Sequence, residues 1–423
     1  MRRKRATPDP ALHQSLEVSA VDIEIPNPLI NRLLRHPALR AHGPSRAKWQ
    51  LLESDQVVGR QRRLSTAEAA LSITLIQGSL QAGPLEQGFA RLMIEGSGAA
   101  ALGGALAASL PLLPATTSLE EAALLLAGGR KPASPGLAGQ TSTAPALALA
   151  LREGLAGLMR HAPQCRADAP PLGVHQSRVA IRRMRSVLKM FFPAVMPHMP
   201  PGALGGFDAR LKAMATALGP ARDLDVFLGG MALRLQSALP DDKRLRPLMA
   251  AARRARLDAY KPLPALLTGT EFRATIWMGF GLIEALEAVP PQDDLAGFAA
   301  QVLARRHRRL KRAGAMIEQL PPAELHALRL DAKRLRYAAE LLVPLWPSHH
   351  ARRYLRRLMA LQEALGLAND AEVARGLVRG LRITGWTLGV AEGFALAGAA
   401  GSRDMALEAW AGWRAAKRFW QDG

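Results

Sequence analysis

Beyond residue 146 apolar residues recur at three-to-four spacing almost without interruption, the period of helices that bury one face. Helices are predicted over Leu147–His161, Val174–Phe192, Leu204–Leu218, Leu224–Leu239 and Leu245–Leu266. Pro193, Pro197, Pro200, Pro220 and Pro240 mark the breaks, because proline lacks the N–H a helix interior needs. The pattern resumes at Leu295–Gln319, Ala323–Leu342, Arg352–Leu365, Ala371–Gly380 and near Asp404–Trp420. Upstream the signal changes. Leu16–Ile25 and Leu71–Ile76 alternate or run apolar with β-branched residues, as strands do, while Asn27–Arg35 and Gly98–Leu110 have helical spacing. Residues 130–145, RKPASPGLAGQTSTAP, are rich in Pro, Gly, Ser and Thr and read as a connector. The expected chain is mainly α. A small α+β domain fills residues 1–135, a linker 136–145, and a helical region 146–423 divides at about residue 288 into two bundles of about four helices each.

The division rests on a repeat. VHQSRVAIRRMR from Val174 and LHALRLDAKRLRY from Leu325 share one plan. A histidine, His175 or His326, is followed three residues on by Arg178 or Arg329 and seven on by Arg182 or Lys333. Eight on comes Arg183 or Arg334, and ten on Arg185 or Arg336. At about 100° per residue, steps of three, seven and ten gather within roughly 80° of one face. The result is a column of cations headed by an imidazole, and the chain has two. A second phrase, LGPARDLDV from Leu218 and LGLANDAEV from Leu365, recurs in the same order, so an internal duplication is well supported. Like charges at helical spacing repel, so each column calls for an anionic partner.

Charge sharpens that expectation. The net charge is +21, and residues 1–140 hold only +4 of it (15 Lys/Arg against 11 Asp/Glu), so the basic excess belongs to the repeated region. Such an imbalance suits a polyanion. Aromatic residues make up 5% of the chain and none interleaves the columns, which counts against single-stranded nucleic acid. The single cysteine, Cys165, cannot form an intrachain disulfide. No apolar core follows the basic opening MRRKRATPDP, and the weakly polar stretch Gly96 to Thr117 carries two prolines, so neither signal peptide nor membrane span is expected, and a cytoplasmic location is. No zinc spacing, P-loop or Ser/His/Asp ordering stands out, and no cofactor is expected.

At the two columns the sequence resembles the CHAD family, the conserved-histidine α-helical domain, over about residues 141–423. VHQSRVAIRRMR with ARDLDV, and LHALRLDAKRLRYAAELL with LQEALGLANDAEV, carry the resemblance. It implies two four-helical bundles around a basic channel that binds inorganic polyphosphate, without catalysis and in association with polyphosphate granules. The implied phosphate contacts are His175, Arg178, Arg182, Arg185, His326, Arg329, Lys333 and Arg336, with Arg183 and Arg334 beside them. The basic first helix of the second copy adds Arg305, Arg306, Arg309, Lys311 and Arg312, and Arg357 comes from the group Arg352, Arg353, Arg356 and Arg357, which also reads as a solvated face. Arginine forks grip phosphate oxygens bidentately, and lysine acts as a point charge.

The N-terminal region resembles a CYTH domain, the triphosphate tunnel fold. VDIEIP sits where the opening acidic strand belongs, SITLIQG at a later strand, RLMIEG at an acidic strand and Thr117–Pro135 at the closing segment. Asp22, Glu24 and Glu95 stand for family acids, but Pro26 and Ile76–Gln77 replace lysines, so the tunnel is expected to be eroded and inactive. The alternatives are a metal-dependent triphosphate or polyphosphate hydrolase that captures substrate on the helical region, and a nucleic-acid binder using the same basic surface. Several residues carry a plainer reading too. The histidines suit helix capping or packing, Asp223 and Asp370 suit N-terminal caps or the orientation of a column arginine, and Tyr337 suits the core.

Overall fold

The computed structural model describes residues 20–42, 47–54, 56–66, 69–130, 136–291, 293–398 and 401–421. The basic opening segment, the start of the predicted strand Leu16–Ile25 and residues 131–135 of the predicted connector lie outside the described residues. In chain order the N-terminal part holds β1 (Ala20–Glu24), α1 (Ile30–Leu34), α2 (Pro37–Arg40), β2 (Gln50–Glu53), β3 (Val57–Arg63), β4 (Ser72–Ala82), β5 (Leu85–Glu95), α3 (Ala99–Ser109), β6 (Leu113–Pro114) and α4 (Leu119–Leu126). Then come α5 (Thr143–His161), α6 (Leu172–Val195), α7 (Ala203–Ala217), α8 (Gly219–Phe227), α9 (Leu233–Ala238), α10 (Arg246–Tyr260), α11 (Leu263–Thr268) and α12 (Thr270–Glu287). The chain continues with α13 (Leu295–Ala313), α14 (Pro322–Leu342), α15 (His349–Gly380), α16 (Gly385–Gly398) and α17 (Ser402–Arg414). Two compact units result: Met1–Ser134 with Thr268–Ala288, and Pro135–Leu267 with Val289–Gly423.

In the first unit the strands form one antiparallel sheet in the order β2-β3-β4-β5-β1-β6. The register sets Ile23 beside Leu92 and Leu92 beside Leu75, so period-two alternation puts these fully buried residues on one face. Among the described residues the sheet is open, with β2 and β6 at its edges. Helix α12 belongs to this unit, although its sequence position had put it in the first helical repeat. It packs on α3, where Gly103 makes room for the Trp277 ring, and the Trp277 Nε1 donates to Leu112 O at 3.2 Å. Glu284 accepts the N–H groups of Gly98 and Ala100, closing the N-terminus of α3 with a carboxylate that the helix dipole favours.

In the second unit α5 packs along α6, α6 on α7, α13 on α14, and α14 on α15; α6 and α14 also meet each other. Several predicted boundaries moved. Pro193 does not break its helix: α6 runs on to Val195, because a proline in the last turn forfeits one bond near an end that frays anyway. The Leu218-Gly219 phrase separates α7 from α8, with Pro220 in the first turn of α8, but its counterpart at Leu365 lies inside the uninterrupted α15. The second copy has no proline there, and nothing else forces a break. Predicted helix Leu245–Leu266 is two helices, parted at Pro262. Helix α16, Ala/Gly-rich and buried along Thr387, Ala391 and Ala395, escaped the periodicity analysis. On α13, His307 bonds Tyr354 Oη through Nδ1 (2.9 Å) against Trp413, and burial followed by nearby cations pushes its pKa down to about 4. No described helix is long and apolar enough to cross a membrane.

Candidate functional site

Helix α6 buries Val174, Ile181, Met184, Leu188 and Phe191, which leaves His175, Arg178, Arg182 and Arg185 half-buried on another strip. Helix α14 does the same with Leu328, Leu335, Ala338 and Leu342, leaving Arg329, Lys333 and Arg336 half-buried. The two strips face each other. Burial first, and then the charges of Arg182, Arg329, Arg336 and Arg178, push the Lys333 ammonium down to about 8. Two of those four guanidinium groups lie on α6 and two on α14. Arg182 is likewise lowered by burial, and Arg336 and Arg178 add to the shift. The Tyr337 ring lies beneath both Arg182 and Arg336, with centroid distances of 5.4 and 5.1 Å. The residue expected in the core is thus half-buried and bridges the two columns.

Carboxylates and carbonyls anchor some members. Arg185 forks onto Asp208 of α7 at 2.7 and 3.2 Å, Arg336 reaches Glu340 at 3.4 Å, and Arg178 Nη1 donates to Ala215 O at 2.5 Å. Others are left short. The Nε atoms of Arg182, Arg329 and Arg336 are buried with no hydrogen-bond partner among the described residues. An unmet buried donor costs about 1–3 kcal/mol, which an acceptor reaching any of the three would recover; the Nε atoms of Arg62, Arg91 and Arg375 are unmet too, outside the columns.

Asp223 and Asp370 are not caps. Helix α8 has no side-chain cap bond, and Asp370 lies within α15. Asp370 Oδ1 lies 3.7 Å from Arg329 Nη2, and Asp223 exerts the largest charge effect on Arg178. Nor do the histidines cap: α6 and α14 have no side-chain cap bond, and His326 is exposed. His175 is half-buried and its pKa is lowered by burial, then by Arg222 and Arg182. Arg222 is a member that the sequence analysis passed over; its signal was its place in the second repeated phrase.

The remaining expected contacts lie elsewhere. At the eighth position Arg183 and Arg334 turn about 100° from the seventh. Arg183 lines a cavity of about 380 Å³ with Glu153, His161 and Tyr337, the residue whose ring also lies under both columns. Arg334 and Arg309 share Asp331, at 2.7 and 2.8 Å, and Arg306 donates to Arg334 O. Asp331 is two residues past Arg329, hence on the far side of α14 from the column. Arg306, pushed down to about 10 by burial and then by Arg305 and Arg334, belongs to this second cluster. Arg305, Lys311 and Arg312 are exposed on α13, and Arg357 is half-buried on α15 beside exposed Arg352, Arg353 and Arg356.

In the first unit Asp22 and Glu24 share a sheet face with Arg91 and Glu95. Asp22 pairs with the buried Arg91 at 2.9 Å, yet burial still raises its carboxyl above the usual range. Among the described residues no three His, Cys, Asp or Glu side chains gather as metal ligands.

The sequence model of the CHAD domain matches residues 149–379, more than half of the chain. The chain belongs to the CHAD-domain family. Its CHAD region runs from α5 into α15 and contains both columns. A crystal structure of the CHAD domain from the plant Ricinus communis matches with a TM-score of 0.57 at 28% identity, covering 69% of this chain and 99% of that one. PptA from Streptomyces chartreusis matches with a TM-score of 0.47 at 18% identity, covering 67% and 100%. No curated protein matches the chain.

Proposed function

We propose that the CHAD region binds inorganic polyphosphate along the facing columns of α6 and α14. The observation that carries this reading is that the two columns meet over the Tyr337 ring, which lies beneath both Arg182 of α6 and Arg336 of α14, with Lys333 amid four arginines from both helices. A phosphate chain supplies about one negative charge per unit and only acceptor oxygens, so it would relieve that repulsion and satisfy the orphaned Nε atoms. The two columns then belong to two copies of one helical bundle. The test is a titration at matched salt with long-chain polyphosphate, tripolyphosphate and RNA. Long polyphosphate should bind tightest, and its log affinity should fall against log salt with a slope of several units, by analogy with counterion release. A slope near −1, or equally tight RNA, overturns the reading. The same binding would recruit the protein to polyphosphate granules in the cytoplasm, visible as co-localisation that is lost in Arg182→Ala/Lys333→Ala.

We read the N-terminal unit as a catalytically silent relative of the triphosphate tunnel. Asp22 is engaged by Arg91, and the lysines expected at Pro26 and Ile76–Gln77 are missing. With magnesium or manganese the protein should release no phosphate from tripolyphosphate above a heat-inactivated control. Metal-dependent turnover that disappears in Glu24→Ala would show the opposite.

A further inference from the structure

The two repeated phrases meet in space. In the first copy Arg178 crosses the Leu218-Gly219 junction, where a Cβ at Gly219 would lie 3.5 Å from its Nη1. In the second Arg329 crosses Gly366, where a Cβ would lie 3.8 Å from its Nε. Four residues after each glycine comes an aspartate, one helical turn on. Asp370 Oδ1 stands 3.7 Å from Arg329 Nη2, beyond hydrogen-bond reach, and its side chain is 68% exposed against 18% for Arg329. Asp223 is exposed as well and is the leading charge acting on Arg178. The first arginine of each column thus has one exposed carboxylate acting on it. In the second copy, where the separation is resolved, that carboxylate neutralises without gripping.

Resting on the polyphosphate reading, we propose that Asp223 and Asp370 are resident counter-ions of the two columns, which an incoming phosphate must displace from Arg178 and Arg329. Carboxylate and phosphate oxygens compete for the same guanidinium, and the two anions repel each other once both are near it. A small anion that reaches a single arginine gains little beyond what the carboxylate already supplies. A chain that covers a column displaces the carboxylate and still gains the cations beyond it. The aspartates therefore set a threshold of charge and length for productive binding.

Asparagine keeps the shape and removes the charge, so Asp223→Asn, Asp370→Asn and the double variant make the test, each titrated with long-chain polyphosphate and melted in rising sulfate. An exposed pair at this separation is weak, so each substitution should tighten polyphosphate binding by about two- to fivefold, and the double variant by their product. Sulfate should raise the Tm of the double variant more than that of the wild type, because the anion then fills a vacated counter-ion position. Glutamate at either position should restore wild-type behaviour. An unchanged or weakened response in either arm overturns the proposal. If long polyphosphate fails to bind the wild type, the polyphosphate reading falls, and the sulfate arm alone decides this one. Should an asparagine variant misfold, Asp→Ser must give the same signs.

Discussion

Lys333 enters the folded state with its ammonium at a disadvantage. Its pKa falls to about 8 through burial and the charges of Arg182, Arg329, Arg336 and Arg178. The unfolded chain keeps the ordinary lysine value near 10.4, so between the two values it binds more protons than the native protein. Stability should therefore rise with pH across that window and carry the full penalty below about pH 8. A bound polyanion reverses the electrostatics and lifts the pKa back. Binding at about pH 9 should then draw in close to a full proton at Lys333, while well below 8 this lysine should draw in almost none. Calorimetry in buffers of different ionisation enthalpy measures that uptake directly. Lys333→Arg, which keeps the charge without the titration, should abolish it; uptake that survives in this variant would belong to another group.

At the scale of elements, two glycines behave oppositely for reasons of packing. Helix α3 lies so close to α12 that a Cβ at Gly103 would sit 2.1 Å from the Trp277 ring. Gly103→Ala must push the two helices apart or twist the indole, and should cost about 1–3 kcal/mol. Denaturant unfolding read by near-ultraviolet circular dichroism of the tryptophan tests it. Gly366 meets only Arg329 Nε, at an ordinary 3.8 Å, inside the continuous helix α15. Gly366→Ala should fit and stabilise by about 0.5–1 kcal/mol through helix propensity alone. A Gly103→Ala variant as stable as the wild type would mean that the close approach of α3 and α12 is wrong.

For the molecule as a whole, the meeting of α6 and α14 predicts how losses combine. Substituting Arg182 and Arg185 by alanine, or Lys333 and Arg336, should each weaken polyphosphate binding, at about 1–3 kcal/mol per charge-assisted contact. Arg185 should fall at the low end, since Asp208 already holds it. Combining both pairs should be non-additive for long chains that touch both columns, and additive for chains too short to span them. Additive losses at every length, or two long chains per protein, would mean that the columns act as separate surface sites.

Helical period alone determined much of this. It grouped the third, seventh and tenth residues of each phrase into a column, since side-chain direction along a helix depends only on spacing; that Arg183 and Arg334, expected beside the column, face other partners is seen only in the fold. The duplicated phrases themselves resemble those of the CHAD family, and the chain's match over residues 149–379 bears that resemblance out. Period says nothing about what a helix faces. That Lys333 meets Arg182 across the gap, that Asp331 rather than open solvent receives Arg309 and Arg334, and that Asp370 turns to Arg329 rather than to a helix end all depend on contacts between residues distant in sequence. So does the placement of α12 against α3, far upstream in the chain. Those pairings come from burying whole apolar faces together, a non-local balance that no window of sequence contains.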